Sequence, residues 1–164
     1  MKKRKEVKTT FIAGTEWLYY KIYCGNSTAD DILINLINPL ACKLINTQII
    51  SLWFFIHYYD PEFHLRIRFN INQKEYFAEV ISELENIITS YFDKSLIWDI
   101  QINTYVKEIE RYGIETITDV EKIFFYDSKL ISQTLKILKE NNLRVMFAIK
   151  IVEVILNELQ FSID

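Results

Sequence analysis

Apolar and polar positions along the chain change period several times, and each change marks an element. Glu16 to Cys24 (EWLYYKIYC) is short and aromatic, and Gly25-Asn26 closes it, which predicts a strand. Ser27 or Thr28 then offers a helix cap, with Asp30 and Asp31 placed to meet the positive end of the helix dipole. Ile32, Leu33, Leu36, Ile37, Leu40 and Leu44 recur at helical spacing, so a helix is expected to about Ile45, ended, kinked or split by Pro39. Ile49 to Tyr58 (IISLWFFIHY) predicts a second strand, too uniformly apolar to have a solvent face. Asp60-Pro61 marks a turn. From Phe63 the string FHLRIRF alternates strictly, putting Leu65, Ile67 and Phe69 on one face and His64, Arg66 and Arg68 on the other.

Gln73 to Phe92 predicts a helix whose buried stripe is Phe77, Val80, Ile81, Leu84, Ile87 and Ile88. A fourth strand is expected from Ile97 to about Glu108, and Gly113 is a plausible stop. Two helical stretches follow, Ile114 to about Leu138 and the mostly apolar Val145 to Leu159. The order β-α-β-β-α-β is that of an α+β, ferredoxin-like antiparallel sheet, here with a C-terminal helical extension. A single domain over residues 1–164 is expected, with residues 1–10, which include the basic run MKKRKEVK, as a frayed arm.

Composition narrows the class. Half of the 164 residues are apolar, enough for a core, and Gly 3 and Pro 2 leave little for linkers. A net charge of −3 argues against direct nucleic-acid binding, and no apolar run approaches the ~20 residues of a membrane span. No signal-peptide core follows the basic start. Cys24 and Cys42 have neither CxxC spacing nor a nearby His, which suits buried free thiols in a reducing cytoplasm. The two histidines and two cysteines form no metal-ligand set, and no glycine-rich nucleotide motif is present, so neither metal nor cofactor is expected.

The third strand carries the candidate chemistry. Side chains two apart on a strand lie ~6.5–7 Å apart. Two guanidiniums at that separation repel by roughly 0.6 kcal/mol in water and about 2.4 at an effective dielectric of 20. Such a face persists if it is wet, if acids such as Glu108 pair with it, or if an anion sits there, and arginine's fork of donors suits a carboxylate or phosphate. Glu108 and Arg111 are a second candidate, three apart and so adjacent on a helix but on opposite faces of a strand. His57, inside a very apolar strand, is expected to be a core histidine.

Four strings in order resemble the C-terminal domain of lantibiotic dehydratases and related thiopeptide biosynthesis proteins: GTEWLYYKIY at Gly14–Tyr23, WFFIHYYDPEFHLRIRF at Trp53–Phe69, TYVKEIERYG at Thr104–Gly113 and VEKIFFYDS at Val120–Ser128. The resemblance implies an elimination domain. It would remove glutamate from glutamylated Ser or Thr of a ribosomally made precursor peptide, leaving dehydroamino acids. It also implies catalytic roles for Arg66, Arg68, Glu108 and Arg111, and substrate binding by His64, Arg66 and Arg68. The implied partners are the precursor peptide and a separate glutamylation protein, with a cyclase and a second copy of the chain as further candidates. Two other functions stay open: a thiopeptide-type cycloaddition enzyme, and a non-catalytic peptide-docking subunit. The chain departs from the family pattern at His57 and Lys107, where arginine is usual, and at Ile114, where glycine is usual. The family domain continues into a segment bearing a His-and-Arg motif, whose histidine is an expected acid/base. Nothing in this chain matches that segment, so the resemblance implies that this part of the domain is missing here.

Overall fold

The computed structural model describes residues 8–160. Four strands, β2 (Trp17–Cys24), β3 (Ile50–Tyr59), β4 (Phe63–Ile71) and β5 (Ile97–Asn103), form one sheet in the order β3-β4-β2-β5. Every neighbouring pair is antiparallel. That is the ferredoxin-like arrangement expected from the element order, with β3 joined to β4 by a tight turn at Asp60-Pro61. A second, two-stranded sheet pairs β1 (Thr10–Phe11) with β6 (Tyr105–Val106). The first seven residues of the expected frayed arm lie outside the described residues. Its last three are tied down: Lys8 pairs with Glu16 at 2.5 Å, the Thr9 carbonyl accepts from Lys107 N–H at 2.8 Å, and Thr10 lies opposite Val106.

The alternation in β4 sets which face is buried. Leu65, Ile67 and Phe69 lie opposite Ile22, Tyr20 and Leu18 of β2, and all six are at most 5 % exposed. Two helical segments, side by side, cover them. The first runs from α1 (Asn26–Ile32) through a π-turn (Leu33–Ile37) into α2 (Asn38–Asn46), and the second is α3 (Phe77–Asp93). Ile32, Leu33, Ile37, Leu40, Leu44, Val80, Leu84 and Ile88 join the strand residues in one core. Each such side chain contributes about 1.5–3 kcal/mol by burial. Pro39 neither ends nor splits the first helix. It sits in the first turn of α2, directly after the π-turn, where the wider winding accommodates its missing N–H.

Several expectations shift. The first helix begins at Asn26 and its cap is Gly25, with no side-chain bond, rather than Ser27 or Thr28, and Cys42 is exposed while Cys24 is buried. The fourth strand ends at Asn103 rather than near Glu108, because Tyr105 leaves the main sheet to pair with Phe11. The penultimate helix, α5 (Ile117–Ile137), starts three residues later than its apolar pattern suggests, after the short α4 (Ile109–Tyr112) and Gly113. Gly113 has φ +80°, a conformation that glycine adopts without strain. β3 does have a solvent side: it is an edge strand whose last three residues, His57, Tyr58 and Tyr59, are exposed. His57 is therefore not a core histidine; its ring lies 5.5 Å from that of Phe63.

α5 packs along the free edge of β3, where the Phe55 N–H donates to Ser128 Oγ at 3.1 Å. The edge is thus covered rather than open to another chain. α6 (Asn141–Glu158) follows, joined to α1 by Arg144, whose Nη1 lies 2.8 Å from Asp30 Oδ2. None of its residues is fully buried.

Candidate functional site

The sheet face away from α1–α3 carries the basic residues. Antiparallel register places each between two partners. Arg68 lies between Tyr19 and Phe54, Arg66 between Lys21 and Ile56, and His64 between Tyr23 and Tyr58. Half of this face is roofed by a small aromatic core of Phe11, Trp17, Tyr19, Phe54 and Tyr105. The β1–β6 ribbon supplies two of these rings, which is why Tyr105 had to leave β5.

Arg68 is held within this core. It is only 5 % exposed, and its guanidinium carbon lies 4.4 Å from the Tyr19 ring, 5.1 Å from Phe54 and 5.3 Å from Tyr105. Nε and Nη1 are buried and have no hydrogen-bond partner among the described residues. Burial lowers the pKa of the guanidinium, opposed by the Tyr19 and Tyr105 hydroxyls and by the Glu108 carboxylate, while Arg66 adds to the lowering. A buried cation whose donors lack acceptors is costly, and an anion placed there would relieve that cost.

Arg66 is half-buried and oriented from behind. His64, fully buried, donates from Nδ1 to the Glu62 carbonyl at 2.9 Å, which leaves Nε2 free to accept the Arg66 Nε–H, also at 2.9 Å. The guanidinium stacks on the Tyr58 ring, 3.3 Å from its centroid. Burial lowers the pKa of His64, helped by Arg66 and Lys21 and opposed by the Glu62 carbonyl and Asp60, so the neutral ring that this network needs is the favoured one. Both ring nitrogens of His64 are thus engaged, and the ring holds Arg66 in its orientation.

Glu108 and Arg111 sit on α4 and its cap, one helical turn apart, with Arg111 Nη1 at 3.8 Å from Glu108 Oε2. Both are well exposed and line a cavity of about 520 Å³ with Lys107 and Thr9. Arg66 and Arg68 are not part of that lining. Glu108 is nonetheless one of the charges that oppose the lowering of the Arg68 pKa.

Sequence reasoning missed the residues that build the roof. Glu121 is 2 % exposed; its Oε1 accepts from Tyr105 Oη at 2.7 Å and its Oε2 pairs with Lys107 Nζ at 2.8 Å. One signal was available: Glu121 lies in phase with Ile117, Phe124 and Ser128 on the inner stripe of α5, where an acid is out of place unless paired.

Residues 17–164 match the family model described as lantibiotic biosynthesis dehydratase C-term. The chain belongs to this family. It is 30 % identical over 122 residues to the subtilin biosynthesis protein SpaB of Bacillus subtilis, covering 74 % of this chain and 12 % of that protein. It is 33 % identical over 135 residues to the nisin biosynthesis protein NisB of Lactococcus lactis subsp. lactis, covering 77 % and 12 %. The tRNA-dependent lantibiotic dehydratase MibB from Microbispora sp. 107891 shares the fold with a TM-score of 0.68 and 26 % identity, over 78 % of this chain and 12 % of that one. TsrL matches with a TM-score of 0.64 at 19 % identity, over 81 % of this chain and 38 % of its own, which shows likeness of fold alone. This lantibiotic dehydratase C-terminal unit thus spans about 12 % of the length of the curated relatives. Among the described residues no helix is long and apolar enough to cross a membrane.

Proposed function

We propose that this chain is an elimination domain of ribosomal peptide biosynthesis, binding a glutamylated Ser or Thr of a precursor peptide through the Arg66/Arg68 face and releasing glutamate. The observation that carries this reading is Arg68, a buried guanidinium with two donors lacking acceptors in a chain of the lantibiotic dehydratase family. In the reaction the Cα–H proton goes to a base and its electron pair forms the Cα=Cβ bond. The Cβ–O bond breaks, and its electrons leave on the glutamate carboxylate. Cations facing that carboxylate favour departure, and donors facing the peptide carbonyl stabilise the enolate. Arg66 and Arg68 fit the first task, and Glu108 with Arg111, at the rim, fit contact with the peptide or proton transfer.

Neither histidine fits the role of base. His64 has both nitrogens occupied, and His57 lies on the opposite sheet face, lining a separate cavity with Asp30 and Arg144. That observation favours a second reading, a docking subunit that binds the modified peptide while a partner supplies the base. The test is to give the chain a chemically glutamylated Ser peptide and follow both binding and loss of glutamate by mass spectrometry. The first reading expects binding that Arg66→Met or Arg68→Met weakens at least tenfold, with glutamate released. Binding without release supports the docking reading, and binding indifferent to both arginines refutes each.

A further inference from the structure

Beneath the roof of the site lies one buried ionisable cluster to which no task in the proposed reaction has been given. Glu121, on the first turns of α5, is bonded at both oxygens: to the Tyr105 hydroxyl at 2.7 Å and to the Lys107 ammonium at 2.8 Å. The Glu121 and Lys107 side chains are 3 % and 9 % exposed. Burial raises the pKa of Tyr105, as does the Glu121 carboxylate, so Tyr105 stays a phenol and a donor.

A buried ion pair of this kind gives little net stability relative to an apolar pair of similar volume, because desolvation offsets the attraction. Its placement suggests another use. Tyr105 contributes one ring of the cage around Arg68, and its hydroxyl is fixed by Glu121. Lys107 immediately precedes Glu108, whose charge acts on Arg68, and it is fixed by the second oxygen of the same carboxylate. A single side chain therefore sets both the wall behind the guanidinium and the chain segment that delivers Glu108 and Arg111.

We propose that Glu121 is a positioning residue for the anion site, touching no ligand and acting through Tyr105 on Arg68 and through Lys107 on Glu108. The inference rests on the reading of the Arg66/Arg68 face as a glutamate site. It assigns the site a third element, α5, so the roof and the sheet recognise the anion together. Glu121 is not a clamp that any well-packed pair could replace.

The test uses the whole chain and free L-glutamate, with the dissociation constant measured by NMR titration beside the thermal midpoint. Tyr105→Phe keeps the ring and removes the hydroxyl, and Glu121→Gln keeps an acceptor and removes the charge. Each is expected to raise the dissociation constant about tenfold, equivalent to 1.4 kcal/mol. The triple variant Tyr105→Phe/Lys107→Met/Glu121→Leu replaces all three buried polar partners by apolar groups and leaves no donor unmet; it should recover the midpoint yet still bind weakly. Wild-type affinity in that triple variant, or in Tyr105→Phe, would overturn the proposal by showing a merely structural clamp. Arg68→Met separates the two claims. Loss of binding there upholds the site, whereas binding equal to wild type removes the site reading and this inference with it.

Discussion

Arg68→Met is the most informative single change, because it tests whether a guanidinium is held ready at a cost to the fold. Two of its nitrogens are buried without partners among the described residues. A buried donor left without an acceptor costs about 1–3 kcal/mol, so the two cost roughly 2–6. Stacking offsets part of this: the closest ring, Tyr19, lies 4.4 Å away, and a desolvated cation–π contact of that kind is worth ~2 kcal/mol. Methionine fills similar space without the charge. The variant should therefore be at least as stable as wild type, by about 0–4 kcal/mol, which for a chain of this size raises the midpoint by up to roughly 12 °C. The sign with pH follows from burial lowering a base's pKa, which penalises the charged form. Arginine stays charged throughout the accessible range, so the gain should be the same at pH 6 and pH 9. Thermal melts followed by near-UV circular dichroism, with and without glutamate, provide the assay. Saturating glutamate should stabilise wild type, by about 2.7 kcal/mol at a hundred times its dissociation constant, and leave the variant unmoved. A variant less stable than wild type by 1 kcal/mol or more would refute the reasoning, since the guanidinium would then be part of the fold rather than an unmet binding group.

Two further outcomes test the surroundings of the site. Ser128→Ala removes the acceptor of the Phe55 N–H at the covered edge of β3 and should cost about 1–3 kcal/mol in urea denaturation; a loss under 0.5 would show that α5 does not hold that edge through this bond. Burial pushes the Cys24 thiol from 9.0 up to about 11, while Cys42 is exposed. Only one thiol should react with a disulfide reagent at pH 8 in the folded chain. Because the folded value is the raised one, Cys24's contribution to stability is complete below about 9 and falls away as pH rises towards 11; two reactive thiols at pH 8 would contradict its burial.

The ferredoxin-like sheet was legible because its signals are local. Strict alternation in FHLRIRF fixes which residues of β4 face the helices, and the spacing of Val80, Leu84 and Ile88 fixes the inner face of α3. The same alternation put His64, Arg66 and Arg68 together, since a strand's period of two leaves no other choice. What alternation could not tell was how each would be used. His64 and Arg66 share a face, but that the ring accepts the guanidinium's Nε–H depends on a rotamer and on the Glu62 carbonyl two residues back.

The remainder belongs to contacts between segments far apart in the chain. Pattern alone carried the strand with Tyr105 on to Glu108, whereas the chain breaks at Thr104 so that Tyr105 can join Phe11, from the N-terminal ribbon, and Glu121, from α5. Apolar periodicity reports whether a residue is turned inward, not which distant partner it meets, so Glu121 reads as a flaw in a helix stripe until Tyr105 and Lys107 are seen around it. By itself the sequence determined the element order, the buried faces and the presence of a doubly charged strand. Tertiary structure decided that one of those charges is buried in an aromatic cage and the other is held from behind by a histidine, because burial and partner choice are properties of surfaces that meet only once the chain has folded.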